Sequence, residues 1–185
     1  MNFKLNKKSI SNIVFIIAVV VLLYPPSREW VMRQIAFAPS VKEVEKSEKL
    51  SSYEWGLKGL NAENISFREL ENKVIFVNFW ATWCPPCRAE MPMIQKLYDD
   101  YKDKVAFVFV TNEDWPIVEG FFTENSYNLP VYNAMSTPPD SFTKTNSIPA
   151  TYLIDKKGNI LISKTGSADW NSNKIRNLLD ELVAQ

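Results

Sequence analysis

The chain has 185 residues and carries 21 basic and 21 acidic side chains, so it has no formal net charge. Its hydrophobic content of 46% is sufficient for a packed core, and the balanced charge argues against nucleic-acid binding, which needs clustered basic residues. The chain has no histidine and only two cysteines, which argues against a closed metal site and against a disulfide framework. The length suits one domain with a short additional segment.

The first predicted element is a membrane-spanning helix. Lys4, Lys7 and Lys8 precede an apolar run at residues 13–24, and the sequence stays uncharged as far as Arg28. As a helix, this uncharged stretch would be about 28 Å long, which is close to the thickness of a bilayer core. Lysines ahead of the run favour a cytoplasmic N-terminus and an exported domain.

The sequence therefore divides into a membrane anchor at 1–28, a linker at 29–50 and a domain at 51–185. A cleaved signal peptide is the alternative to the anchor, but the A-x-A-like sequence at 36–38 lies far beyond the apolar run and precedes a proline. The charged part of the linker, 41–50, suits either a short helix or a flexible spacer. In both cases we expect the domain on the periplasmic side of the inner membrane, where cysteine pairs meet disulfides.

The pattern of apolar residues in the domain predicts alternating strands and helices. Nearly continuous β-formers at 74–80 and 105–110 indicate strands that are buried on both faces. The predicted strands lie at 53–58, 74–80, 105–110, 130–132, 151–154 and 159–164. The predicted helices or helical turns lie at 64–72, 87–101, 117–125, 139–145 and 172–185. This order predicts an α/β fold, a three-layer sandwich with a central mixed sheet.

Cys84-Pro85-Pro86-Cys87 directly follows the predicted strand at 74–80 and opens a predicted helix. A CxxC pair in this position is a redox signature, because the positive end of the helix dipole stabilises a thiolate. Cys84 is then the nucleophile that attacks a disulfide, and Cys87 resolves the mixed disulfide. The alternatives are an inert buried pair or half of a zinc site, and the sequence contains no second half for a zinc site.

The segment VNFWATWCPPCRAEMP at 77–92 resembles the active-site segment of TlpA- and ResA-like proteins, which are membrane-tethered thioredoxin-fold reductases of bacteria. IPATYLID at 148–155 resembles a later segment of the same family. The resemblance covers about residues 51–185. It implies a thioredoxin-like fold that works through a redox-active Cys84–Cys87 disulfide, with no other cofactor.

The resemblance also assigns roles to other residues. It implies that Pro149 is cis and faces the CxxC pair, and that the backbone at Ile148 and Pro149 holds the substrate. Glu90 is expected to help deprotonate Cys87; the alternative is a surface glutamate near a helix start. Asn78 occupies the position at which thioredoxin carries a buried aspartate, and an asparagine cannot act as a base.

Several residues around the motif are expected to contact the substrate. Trp83 should be exposed beside the sulfurs, next to Pro85 and Pro86. Because prolines have no N–H, the thiolate of Cys84 should have a less depressed pKa than in loops with one proline, which favours a reductant. The cluster at 112–114 is interpreted as a solvated turn, with a contribution to the site as the alternative.

Several functions are compatible with these features. A reductase of exported proteins, such as apocytochromes, is the leading hypothesis, with a transmembrane thiol carrier as its electron donor. A general disulfide exchanger or oxidase is the second. A thiol peroxidase would need a separate cysteine, and copper delivery normally uses a histidine. A non-enzymatic binding module requires inert thiols.

Overall fold

The computed structural model describes residues 7–42 and 47–185. It begins with two helices, α1 at Lys7–Leu23 and α2 at Pro25–Gln34. In the part of the chain that is described, no helix combines the length and the apolar character that crossing a membrane requires. Lys4 and residues 43–46 of the predicted linker lie outside the described residues. The membrane anchor therefore stays a prediction.

Helix α2 crosses the predicted boundary at residue 28, and the first residues of the predicted linker are helical. Its start fits the two prolines at 25–26, because proline suits the first turn of a helix. The carboxylate of Glu29 forms an ion pair with Arg88, with Oε1 and Nε separated by 3.0 Å. The guanidinium of Arg88 also lies 5.6 Å from the centre of the Phe121 ring.

The remaining elements form the domain. Its strands are β1 at Glu48–Lys49, β2 at Gly56–Gly59, β3 at Ile65–Ser66, β4 at Val74–Phe79, β5 at Val105–Val110, β6 at Val131–Ala134, β7 at Ala150–Ile154 and β8 at Asn159–Thr165. Its α-helices are α3 at Pro85–Tyr101, α4 at Trp115–Asn125 and α5 at Asn173–Ala184. Short 3-10 helices lie at Phe67–Leu70 and Asp140–Phe142.

The described strands form one sheet in the order β1-β8-β7-β4-β5-β6-β2-β3. Strand β4 pairs in parallel with β5, and β5 in parallel with β6, whereas the other pairs are antiparallel. The predicted mixed sheet is thus confirmed. Strand β4 lies near the centre, with Phe79 opposite Val110 of β5 and Ala150 of β7. This register brings the segments after β4 and before β7 to the same edge of the sheet.

Alternation along β4 divides the core into two clusters. Phe76 belongs to the cluster beneath the helices, to which α3, α4 and α5 contribute Met91, Val118 and Leu179. Ile75 belongs to the cluster on the opposite face of the sheet. That face is covered by 3-10 helices and the segments beside them, which contribute Leu50, Trp55, Phe67, Leu70 and Phe142. The sheet therefore lies between two layers, as the sandwich prediction requires, although the second layer is not built from α-helices.

Part of the predicted linker is built into the domain. Strand β1 pairs with β8, and Lys42 N–H donates a hydrogen bond of 2.8 Å to the carbonyl oxygen of Leu161. Leu50 N–H likewise donates to Gly158 in the turn between β7 and β8. The sheet thus begins before residue 51, where the sequence placed the start of the domain.

Candidate active site

Helix α3 begins at the CxxC motif. Cys84 is the N-cap residue and Pro85 and Pro86 form the first turn, where a missing N–H costs no helical hydrogen bond. Cys84 and Cys87 form a disulfide with their Cα atoms 5.3 Å apart. The N–H of Cys87 donates to Cys84 Sγ over 3.3 Å. The two prolines cannot donate in this way, which leaves the positive end of the helix and one amide to stabilise a thiolate at Cys84.

The segment before β7 faces the disulfide. The Ile148–Pro149 peptide bond is cis, as the resemblance implied. The carbonyl oxygen of Ile148 lies 3.8 Å from Cys84 Sγ. Both cysteines are buried, but Trp83 is 70% exposed beside them. The site therefore presents an exposed aromatic side chain and an extended backbone next to the sulfur that is predicted to react first.

Glu90 is buried under the site, with 1% of its surface exposed. It follows Cys87 by one helical turn, so the two residues lie on nearly the same face of α3. Its Oε1 accepts a hydrogen bond of 3.0 Å from Asn78 Nδ2. Its Oε2 accepts bonds from Trp170 Nε1 at 2.9 Å and from Ala168 N at 3.2 Å. The alternative of a surface glutamate is therefore wrong.

Burial governs the proton affinity of this carboxyl group. It raises the pKa of Glu90 from an ordinary value of 4.5 to about 8, although the hydrogen bonds from Trp170, Asn78 and Ala168 and the charge of Lys164 act in the opposite direction. Near neutral pH, Glu90 is therefore mostly protonated in the oxidised protein. A carboxyl group with a pKa close to the working pH is well suited to exchange protons with a neighbouring thiol.

Asn78 connects Glu90 to strand β7. Its Nδ2 also contacts Thr151 Oγ1 at 2.8 Å, so the amide joins α3 to β7. An amide presents two donors on one side and an acceptor on the other. Turned by 180°, the amide would present its Oδ1 to Glu90 and accept the proton of a neutral carboxyl group. Asn78 cannot act as a base itself, but its amide can form a hydrogen bond with Glu90, which can.

Glu113 holds the loop that leads into the motif, so a contribution to the site, the alternative for residues 112–114, is confirmed for this residue, whereas Asn112 and Asp114 are exposed as a solvated turn requires. Its Oε2 accepts from Thr82 N and its Oε1 from Thr82 Oγ1, both over 2.6 Å. Asn133 Nδ2 donates to the backbone oxygen of Glu113 over 3.2 Å. Because Thr82 precedes Cys84 by two residues, Glu113 helps to fix the position of the nucleophile.

A cavity of about 560 Å³ opens beside Trp83. Its lining combines apolar side chains with the polar residues of the two neighbouring loops. Among them are Phe79, Trp83, Glu113, Phe142, Asn146 and Ile148. The cavity therefore adjoins Ile148 and Trp83, the two residues beside the disulfide. In the part of the chain that is described, no group of three or more cysteine or acidic side chains could hold a metal ion.

The fold and the site define a thioredoxin-like protein with a CxxC disulfide at the start of a helix. A solved structure of a putative thiol:disulfide interchange protein DsbE from Chlorobium tepidum superimposes with a TM-score of 0.60. The match covers 75% of this chain and 99% of that one at 18% identity, which shows the shared fold.

The chain belongs to the Redoxin family, whose model matches residues 37–181. It is 35% identical to a thiol-disulfide oxidoreductase ResA of Halalkalibacterium halodurans over 60% of this chain and 64% of the relative. It is 34% identical to the thioredoxin-like protein YneN of Bacillus subtilis over 64% of this chain and 72% of that protein. The chain thus spans less than two thirds of the ResA relative. The resemblance to TlpA- and ResA-like proteins is confirmed.

Proposed function

We propose that this protein is a thiol–disulfide oxidoreductase that reduces disulfides in exported proteins. The observation that carries the proposal is the Cys84–Cys87 disulfide at the N-terminus of α3, with the backbone of Ile148 beside Cys84 and the buried carboxyl group of Glu90 beneath the pair. The ResA relative, which is named a thiol-disulfide oxidoreductase, supports the same chemistry.

The reaction follows from this arrangement. In the reduced protein, the thiolate of Cys84 attacks one sulfur of a substrate disulfide, forms a mixed disulfide and releases the other sulfur as a thiolate. Cys87 then loses its proton and attacks Cys84 Sγ, which restores the Cys84–Cys87 bond and releases the second substrate thiolate. Two electrons pass from the dithiol to the substrate, whose extended chain binds beside Trp83, Ile148 and Pro149.

We assign to Glu90 the role of accepting the proton that Cys87 loses. Helix geometry places it one turn beyond Cys87, and its pKa of about 8 is near that of a thiol. As a carboxylate it takes the proton while Cys87 attacks; in the reverse direction, the neutral acid returns it. The hydrogen bonds on both oxygens hold the group in place for this transfer.

We further propose that the N-terminal segment attaches the domain to the inner membrane, on its periplasmic side. Apolar side chains of α1 are exposed, among them Ile13, Val14, Phe15, Ile16 and Ile17. Burying such a surface in lipid is favourable, and the basic start of the chain favours a cytoplasmic N-terminus. A transmembrane thiol carrier is then the electron donor, and exported proteins such as apocytochrome c are the substrates.

The equilibrium reduction potential of the full chain in mild detergent tests the chemistry. A value near or below that of thioredoxin, about −270 mV, supports a reductase. A value near that of DsbA, about −120 mV, favours a general oxidase instead. The Cys84→Ser variant is the control and should show no reversible couple. If the wild-type chain showed none either, the enzymatic proposal would fail and a binding module would take its place.

Trapping the mixed disulfide tests the order of the two cysteines. A Cys87→Ser variant should accumulate a complex with a peptide disulfide that is visible on a non-reducing gel and disappears on reduction. A Cys84→Ser variant should form far less of it, because Cys84 lies at the N-cap of α3 beside Ile148, whereas Cys87 lies one turn into the helix. Equal trapping by both variants would contradict the assignment of Cys84 as the nucleophile.

A further inference from the structure

The segment between β8 and α5, residues 166–172, closes over Glu90 from the side opposite Asn78. Trp170 Nε1 donates to Glu90 Oε2 at 2.9 Å, and Ala168 N donates to the same oxygen at 3.2 Å. Both Trp170 and Ala168 are fully buried. The proton-accepting group of the site is therefore held by residues that lie about 80 positions further along the chain.

Packing fixes the direction in which the indole of Trp170 points. Its ring lies edge-on against Phe76 of β4, with the ring centres 5.1 Å apart and an angle of 88° between the planes. It belongs to the same buried cluster as Ile175 and Leu179 of α5. The N–H of such a tightly packed ring cannot turn away from Glu90 without disturbing the core.

We propose that Trp170 is a positioning residue that sets the proton affinity of Glu90 and, through it, the pH at which Cys87 is deprotonated. An indole N–H donates but cannot accept, so it stabilises a carboxylate more than a neutral carboxyl group. Asn78 also donates to the carboxylate, but its amide carries an acceptor as well, which an indole does not. The inference deepens the proposed function and depends on it for the role of Cys87.

Few charged groups compete with Trp170 for this effect. Lys164 of β8 attracts the carboxylate of Glu90, and Cys87, one turn earlier on α3, is joined to Cys84 in a disulfide and carries no charge. Strands β4 and β7 contribute the neutral side chains of Asn78 and Thr151. Among the described groups that face Glu90, the indole of Trp170 and the backbone N–H of Ala168 supply hydrogen bonds that are always donated, and Lys164 supplies the opposite charge.

The primary test is a carbon-13 NMR titration of the Glu90 carboxyl group in the oxidised full chain, in mild detergent. In a Trp170→Phe variant, which keeps an aromatic ring but loses the N–H, the midpoint should move about one pH unit upwards. Trp55→Phe is the matched control: Trp55 is also buried, but it lies on the opposite face of the sheet and donates to Ser136. An unmoved midpoint in Trp170→Phe, or an equal shift in Trp55→Phe, would overturn the proposal.

A second measurement needs no change in the core. In the nitrogen-15 spectrum of the wild-type protein, the indole N–H signal of Trp170 should titrate with the same midpoint as the Glu90 carboxyl group. In a Glu90→Gln variant, this titration should disappear. If the Trp170 signal did not respond to pH between 6 and 10, a range of about two pH units on each side of the expected midpoint, the hydrogen bond would not distinguish the two protonation states and the proposal would be wrong.

The link to catalysis is measured separately. The release of product from the mixed disulfide, followed by stopped flow, should have a pH profile that moves upwards with the Glu90 midpoint in Trp170→Phe. In the Glu90→Gln background, the same tryptophan substitution should leave the profile unchanged. If the titration midpoint of Glu90 moved in Trp170→Phe but the pH profile of product release did not, the proposed effect on the deprotonation of Cys87 would be refuted. Failure of the proposed function itself would be recognised by a wild-type chain without a reversible thiol–disulfide couple.

Discussion

Replacing Glu90 by glutamine should remove a pH-dependent loss of stability from the oxidised protein. Burial raises the pKa of Glu90 from 4.5 to about 8, so the folded protein binds a proton that the unfolded chain releases between these values. Stability falls with pH wherever the folded state binds more protons than the unfolded state. The contribution of the neutral carboxyl group is therefore fully present below pH 4.5 and is lost as the pH rises towards 8 and beyond.

The magnitude follows from the two pKa values. One pH unit between them corresponds to about 1.4 kcal/mol, which sets an upper limit of about 5 kcal/mol for ionising the buried group. Between pH 5 and pH 8, the stability of the wild-type protein relative to Glu90→Gln should fall by about 3 to 4 kcal/mol. Glutamine fits the site because its oxygen can face Trp170 while its amide faces a turned Asn78.

The assay is urea unfolding of both proteins at several pH values, with the disulfide intact and followed by tryptophan fluorescence. Taking the difference between the two proteins cancels the titration of all other groups. Glu119→Gln, at an exposed glutamate on α4, is the matched control for the substitution itself. A wild-type-minus-Glu90→Gln difference that stayed constant within about 1 kcal/mol between pH 5 and pH 8 would refute the reasoning.

Three further changes can be tested by urea unfolding. Glu113→Ala removes both hydrogen bonds to Thr82 and should cost about 1–2 kcal/mol, against less than about 0.5 kcal/mol for Glu119→Ala. Gly120→Ala, in the middle of α4 with open space around the added methyl group, should stabilise the protein by about 0.5–1 kcal/mol. Gly59→Ala places its Cβ against the backbone carbonyl of the following turn and should cost more than about 2 kcal/mol. A destabilised Gly120→Ala, or a neutral result for Gly59→Ala or Glu113→Ala, would contradict the contacts described.

The centre of the sheet and the reactive pair could be predicted because their signals are local. Strands β4 and β5 are continuous runs of β-formers, and the CxxC motif lies directly after the first of them. Strands β1 and β3 have two residues each and leave no periodic pattern, so they were not predicted. Pairing with a neighbouring strand defines them, and the sequence does not show which strand lies alongside.

The supporting contacts of the site could not be predicted for a related reason, although a contribution of residues 112–114 to the site was the alternative interpretation of that cluster. Glu113 acts on Thr82 from 31 positions away, and Trp170 acts on Glu90 from 80 positions away. A tryptophan ahead of an amphipathic helix is usually a core residue, and Trp170 is also one. What the sequence cannot show is the direction of its N–H. A buried acid three residues after the motif was a usable signal, since a buried carboxyl group needs donors and tryptophan is one of the few apolar side chains that offers one.

The side chain at position 78 is neutral, so Glu90 has no second carboxyl group at this position with which to share a proton. Asn78 and Glu90 are 3.0 Å apart, and both are buried. With a second carboxyl group at that distance, the two would share a proton, and the pKa of one would rise further still. An amide keeps the hydrogen bond without the second charge. Of these two side chains, only Glu90 can therefore exchange a proton with Cys87. The N–H donors of Trp170 and Ala168 offset part of the effect of burial, so that the pKa of Glu90, at about 8, stays close to that of a thiol.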